Sequence, residues 1–270
     1  MGRGIVMAAA NADFEVVLVS RSLVSATRAV NGLGHDLGRE VKRGRITHVQ
    51  RSATLDRVHP TADLHDTSDC QLVIESIIEE LPAKIALFAL LDDACGENTV
   101  LASNTSTLPL SQIACATNRV DRVCGLHFFN PVQVTKVVEV IRTNATSAAT
   151  IDRARSFSRR CQKQPVVVGD GSGFVVNALL MPMLNRAVKM LQRGVASIED
   201  IDAAMRGACG LQSGPFQLLD LIGVDTAVQA LDAIYLATDD DAYRPAPQLR
   251  EMLASGRLGR KSARGFYRYA

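Results

Sequence analysis

At 270 residues, with 47% hydrophobic and 21% charged side chains, the chain has the composition of a soluble globular protein of one large or two smaller domains. It is long enough to bury a core without disulfides or a structural metal. A balance of 30 basic against 28 acidic residues leaves a formal charge of +2, which excludes the strongly basic face that nucleic-acid binding calls for.

The N-terminus imitates a secretory leader: Arg3 precedes the apolar Ile5 to Ala10 and the small Ala10-Asn11-Ala12. The apolar stretch is only about six residues where about 7 to 15 are needed. Position 6 is Val where an N-myristoylation signal needs Ser or Thr. No spanning segment follows, so the reading is a cytoplasmic protein with no membrane partner. Cys70, Cys95, Cys115, Cys124, Cys161 and Cys209 form no CxxC pair, which fits reduced, mostly buried thiols and no metal site.

Glu15 to Val19 predicts a buried strand, and Ser22 then caps a helix through Leu37. Arg39 to Arg57 is locally basic: Arg39, Lys42, Arg43, Arg45, Arg51 and Arg57 outnumber Glu40 and Asp56. That stretch is either a solvated helix face with its loop or a site for a small phosphorylated ligand. Strands at Leu72 to Ile74, Thr99 to Ala102 and Val123 to Phe129 alternate with helical stretches such as Pro82 to Ala94, the pattern of a doubly wound α/β sheet. Val166 to Val168 is its last strand. After the hinge-like Gly169-Asp-Gly-Ser-Gly173 the chain reads as helix only: Phe174 to Gln192 with Pro182 inside, Ile198 to Arg206 capped by Ser197, Pro215 to Ala237, and Ala246 to Ala254. The expected domains are therefore 1-169, a doubly wound sheet domain, and 170-270, an all-helical domain.

In a doubly wound sheet ligands bind beyond the carboxyl ends of the strands. Gly125-Leu-His127-Phe-Phe-Asn130-Pro131 occupies such an end. The apolar run from Val134 to Ile141 follows it and is interrupted by Glu139. A carboxylate inside an apolar strand needs a partner, and a returning strand places Glu139 beside His127. The carboxylate would fix the imidazole tautomer and stabilise its charged form, leaving the other ring nitrogen to move a proton. A satisfied core histidine is the competing reading. Ser103 to Thr107 also ends a strand, where turn chemistry competes with catalysis, and Asn177 opens the first helix of the second domain.

These pieces together resemble the 3-hydroxyacyl-CoA dehydrogenase family, the short-chain 3-hydroxybutyryl-CoA type in particular. The matching phrases run in order from Met1-Gly2 through Leu72-Val-Ile-Glu75 with Glu79 and Lys84, Ser103-Asn-Thr-Ser106, Gly125 to Pro131, Val138-Glu139-Val140 and Gly173-Phe-Val-Val-Asn177. They continue through Gly214-Pro-Phe216 to Gly259-Arg-Lys261 and Gly265-Phe-Tyr267. The resemblance implies a Rossmann domain, a helical domain that dimerises, and reversible oxidation of an L-3-hydroxyacyl thioester with NAD or NADP in fatty acid metabolism. It assigns His127 as general acid and base and Glu139 as its orienting carboxylate, with Ser106 and Asn177 bonding the substrate oxygen or the nicotinamide region. Gly2, Glu79, Lys84 and Asn130 would join Ser106 on the cofactor side, and Lys42, Arg43 and Arg45 would meet the phosphates of coenzyme A.

Three departures qualify the resemblance. The family's fingerprint is a strand followed by G-x-G-x-M-G, whereas this chain begins at its Met-Gly, so a first strand and two glycines are expected to be missing and dinucleotide affinity to suffer. Ser20-Arg21-Ser22 replaces the acid that bonds a ribose 2′-hydroxyl, which favours NADP. Leu211-Gln212-Ser213 stands for the family's His-Pro-Met and Ala178 for an Arg, which leaves the carrier open. The alternatives are the same chemistry on an acyl carrier protein, and a cofactor-impaired acyl-thioester-binding paralogue.

Overall fold

In the computed structural model, which describes residues 1–269, the apolar stretch after Met1 is a helix, α1 (Gly2–Asn11), burying Ile5, Met7, Ala9 and Ala10. β1 (Val16–Val19) follows, and the Ser22 hydroxyl caps α2 (Leu23–Lys42) by accepting from the Ser25 amide. α2 buries Ala26, Leu33 and Leu37, positions seven and four residues apart on one helical face. Two elements here escape a reading by hydrophobic pattern. α3 (His48–Asp56), capped by Thr47, is largely polar, and β2 (Val58–Thr61), parallel to β1, contains Pro60.

β3 (Leu72–Glu75), α4 (Leu81–Ala94), β4 (Val100–Ser103), α5 (Leu110–Ala114), β5 (Val123–Phe128), β6 (Val137–Arg142), α6 (Ala148–Arg160) and β7 (Gln164–Gly169) complete the first unit. β3 to β7 form one five-stranded sheet in sequence order, parallel except for the antiparallel β5–β6 pair, while β1 and β2 form a separate two-stranded sheet. Among the described residues no ladder joins the two pieces. α1 ties them by packing instead. Ile5 and Ala9 lie with Ala102, Leu126 and Val138 of the larger sheet, and Met7 and Ala10 with Leu18 and Val58 of the smaller and Leu33 of α2.

Strand side chains alternate between faces, and this fixes the site. Leu72 and Ile74, Val100 and Ala102, Cys124, Leu126 and Phe128, and Val138 and Val140 share a core with α1 and α6. Glu75, Ser103, His127 and Glu139, each one residue out of phase, therefore line the opposite face. Of the cysteines, Cys95, Cys124 and Cys161 are buried, whereas Cys115 and Cys209 are exposed; burial pushes the Cys124 thiol up to about 12.

The chain divides into a unit of residues 1–105 and 109–170 and a second of residues 106–108 and 171 onward. The expected break at 169/170 thus lies one residue early, and a three-residue segment from the middle of the chain belongs with the helices. The second unit holds α7 (Val176–Gln192), α8 (Ile198–Cys209), α9 (Pro215–Ile222), α10 (Val224–Thr238) and α11 (Pro247–Ala254) around Leu184, Val188, Phe216, Leu219, Leu231 and Leu249. The single helix expected over Pro215 to Ala237 is two. Gly223, at φ 100°, ends α9 and opens α10, and the axes bend by 95° there. No single helix among the described residues is long and apolar enough to cross a membrane.

Two buried aspartates hold this unit's irregular chain. Asp202 accepts from the amides of Phe216 and Gln217 and from the Tyr267 hydroxyl. Asp220, 1% exposed, accepts from the amides of Phe266 and Tyr267 and from the Tyr269 hydroxyl, each at 2.9 Å. Asp220→Ala strands all three donors and is expected to cost about 3 kcal/mol, measured as a lower urea midpoint together with protease sensitivity of residues 259–269. A loss under about 1 kcal/mol would mean the tail is held otherwise. Burial and the Asp220 carboxylate push the Tyr269 hydroxyl from 10.0 to about 12. The stability this contact gives is therefore full below pH 10 and is lost as pH rises toward 12.

Candidate active site

β5 and β6 pair antiparallel with His127 directly opposite Glu139. The imidazole Nδ1 and the carboxylate Oε2 lie 2.7 Å apart, with side-chain exposures of 7% and 1%. The carboxylate occupies the Nδ1 side of the imidazole, so any proton exchange with a ligand would fall to Nε2. The Phe129 ring stands 4.4 Å from the imidazole, centroid to centroid. The expected approach of Glu139 on a returning strand is what the register delivers.

A second charged cluster lies on the same face of the sheet. Lys84, 1% exposed on α4, donates to Glu75 at 2.6 Å and lies 3.3 Å from Glu79. The Ser103 hydroxyl donates to the other oxygen of Glu75 at 2.7 Å, and the Thr105 hydroxyl donates to Glu79 at 2.7 Å. Two carboxylates share one ammonium. Lys84 was expected on the cofactor side, but its charge is committed inside this cluster; Glu79, with 20% of its side chain exposed, is the member that reaches the surface. Asn104 ties three strand ends together, accepting from the Phe128 amide at 2.9 Å and donating to Ser76 at 3.2 Å.

Glu75, Ser103 and Asn104 were not singled out for these roles. The signal that found Glu139, a carboxylate within an apolar run, has a counterpart in Leu72-Val-Ile-Glu75, where the carboxylate ends the run. The partners of Ser103 and Asn104 lie 28 and 24 residues away, beyond the reach of local pattern.

A cavity of about 380 Å³ opens at the start of α1, lined by Met1, Arg3, Gly4, Asp36, Asn130, Val132 and Gln133. The helix start has no side-chain cap and no acid in its first turn, the condition under which backbone N–H groups accept an anion. A Cβ on Gly4 would lie 2.9 Å from Val132, so glycine lets this turn close on the loop that carries Asn130. These features fit the phosphates of a dinucleotide. Gly2 is in the same turn.

Beyond β1, the Ser20 hydroxyl lies 2.7 Å from that of Ser25, and Arg21 is exposed. Arg43 and Arg45 each contact Glu40 at 3.0 Å, and hydrogen bonding to Arg45 above all holds the Glu40 carboxyl below its ordinary range. Lys42 is exposed beside them. Ser106 and Asn177 belong to the second unit, where the Asn177 amide donates to the Ser106 carbonyl at 3.3 Å.

Comparison with known proteins gives this geometry a family. The model for the 3-hydroxyacyl-CoA dehydrogenase NAD binding domain matches residues 1–171, and that for the 3-hydroxyacyl-CoA dehydrogenase C-terminal domain matches residues 173–269. The chain is 39% identical over 269 residues to a probable 3-hydroxybutyryl-CoA dehydrogenase of Bacillus subtilis, covering 100% of this chain and 94% of that protein. It is 41% identical over 271 residues to the 3-hydroxybutyryl-CoA dehydrogenase of Mycobacterium tuberculosis, covering 100% and 95%. The crystal structure of M. tuberculosis FadB2 superposes with a TM-score of 0.95 at 41% identity, over 99% of this chain and 95% of that one. Matches across the whole chain do not support the expected truncation at its front. The chain belongs to the 3-hydroxyacyl-CoA dehydrogenase family.

Proposed function

We propose that this chain interconverts L-3-hydroxyacyl and 3-oxoacyl thioesters of short-chain acyl-CoA with a nicotinamide cofactor. The observation that carries this reading is the buried His127–Glu139 pair in a chain of this family. In oxidation, Nε2 of His127 takes the proton of the substrate's 3-hydroxyl, and Glu139 stabilises the imidazolium that forms. In reduction the same nitrogen returns the proton to the 3-oxo oxygen. The cofactor, when bound, supplies the hydride chemistry at the substrate's C3. Ser106 and Asn177 hydrogen-bond the substrate oxygen or the nicotinamide region, and their mutual contact orients them. The first turn of α1 with Gly2, together with Asn130, holds the dinucleotide, and Glu79 lies on the same side. Lys42, Arg43 and Arg45 carry two charges more than Glu40 neutralises, which suits the phosphates of coenzyme A over a neutral ligand.

His127→Ala is expected to lower kcat by about 10²- to 10⁴-fold while NADH and NADPH dissociation constants, from fluorescence titration, stay within about twofold. Glu139→Gln keeps the shape and loses the charge, so kcat falls while substrate KM holds. Undiminished turnover in either variant would remove the assignment.

The end of β1 carries hydroxyls and a guanidinium where an acid would repel a 2′-phosphate, which favours NADPH over NADH. Arg21→Ala should then lower kcat/KM for NADPH by about tenfold or more and leave NADH unchanged. A wild-type enzyme that oxidises NADH far faster than NADPH would reverse this preference.

The second unit presents Leu179 and Leu236, 71% and 88% exposed, and we infer that it forms a homodimer in keeping with its family. Leu236→Glu should shift the sedimentation coefficient to that of a monomer. A second reading, an acyl-thioester-binding protein without turnover, is favoured by one observation, the absence of a ladder between the two sheets. Failure of NADH and NADPH alike to bind at millimolar concentration would select it.

A further inference from the structure

One buried cation plays no part in the chemistry above. Lys163 stands between α6 and β7, directly after Gln162, whose φ of 58° turns the chain inward. The residue is 9% exposed, and its Nζ donates to two backbone carbonyls, those of Val132 and Thr135, the latter at 2.8 Å. Among the described residues Lys163 forms no ion pair with a carboxylate. Burial holds the ammonium below the ordinary lysine range. A methionine would fill the same volume with no charge to desolvate, so packing alone does not account for a lysine here.

The two carbonyls belong to residues 129–136, the connection from β5 to β6. Within that loop the amides of Val134 and Thr135 both turn back to the Pro131 carbonyl, and the Gln164 amide takes the Lys136 carbonyl at 2.6 Å. Lys163 and Gln164 thus anchor the loop at three carbonyls, Lys163 alone holding its middle. That middle matters because Val132 is the residue against which Gly4 closes, and Asn130, Val132 and Gln133 line the cavity together with Met1, Arg3 and Gly4 at the start of α1 and Asp36 of α2.

We propose that Lys163 is a positioning residue for the nicotinamide dinucleotide. Its interior ammonium fixes the loop so that Asn130 and the start of α1 present a single geometry to the cofactor. The proposal rests on the reading of that cavity as the cofactor's place. Charge-assisted bonds from an ammonium to carbonyls exceed those of any neutral side chain of the same length, which is why the position takes lysine.

The test is a double-mutant cycle read by NADH fluorescence titration on the full chain, with Lys163→Met, Asn130→Ala and the pair. Each single change is expected to weaken NADH binding about tenfold, and the pair by much less than the product of the two, because both act through one loop. Lys163→Arg, which keeps the charge and the donors, should recover most of the affinity. Leu249→Ala, in the core of the helical unit and outside the cluster that holds Val132, serves as a stability control: it lowers the melting temperature without moving NADH affinity. If Lys163→Met does not fold, Lys163→Gln, which keeps an amide donor without charge, carries the same expectation. Affinity within about twofold of wild type for the Lys163 variant, or effects that simply multiply, overturns the proposal while a weakened Asn130→Ala leaves the cavity reading standing. An unchanged Asn130→Ala removes the cavity reading and this proposal with it.

Discussion

An ionised group inside a protein must meet a fixed partner or give up its charge, and this chain places several such groups in its strands and helices. Glu139 meets His127, Glu75 meets Lys84, Lys163 meets two carbonyls, and Asp202 and Asp220 meet amides and tyrosine hydroxyls. Each pairing costs desolvation and in return admits only one arrangement of the elements that carry it. The β5–β6 register is the clearest case. A slip of one residue would turn Glu139 into the apolar face with Leu126 and Val140 and leave His127 without its acceptor. The geometry proposed to serve proton transfer is thus the same geometry that sheet pairing enforces.

How far the amino-acid order discloses this depends on how local each interaction is. Glu139 was legible because a lone carboxylate in an apolar strand announces a missing partner, and His127 was the only group of suitable chemistry at the neighbouring strand end. The α/β pattern followed by helices was legible for a similar reason, since strand and helix periods are written into neighbouring residues. α3 and β2 were not, because their polar faces and Pro60 erase the period on which the reading depends. The break at Gly223 lies inside a continuous apolar run, and only its φ distinguishes two helices from one. The Asn177 contact with Ser106 joins residues 71 apart, and the Lys163 contacts span about thirty, so neither leaves a local trace.

α1 has two tasks that pull in the same direction. Its buried flanks join two sheets that share no ladder, and its uncapped start faces the cavity. Hydrophobic contact is tolerant of small displacement where a hydrogen-bonded ladder is not. The cavity therefore depends on side-chain packing along α1 and on the loop that Lys163 secures, more than on continuous pairing of the sheet.

The assignment of residues 106–108 to the helical unit has a consequence for how the molecule is built. The backbone passes between the two units three times, after Thr105, after Leu108 and after Asp170, so the domain boundary is not a single cut in the chain. A fragment beginning at Gly171 would lack the Ser106 carbonyl to which Asn177 donates. During synthesis residues 106–108 emerge more than sixty residues ahead of the first helix of the unit they join, so that segment must wait for its partners. The two units are thus interdependent in assembly, and neither could be exchanged between proteins by one simple crossover.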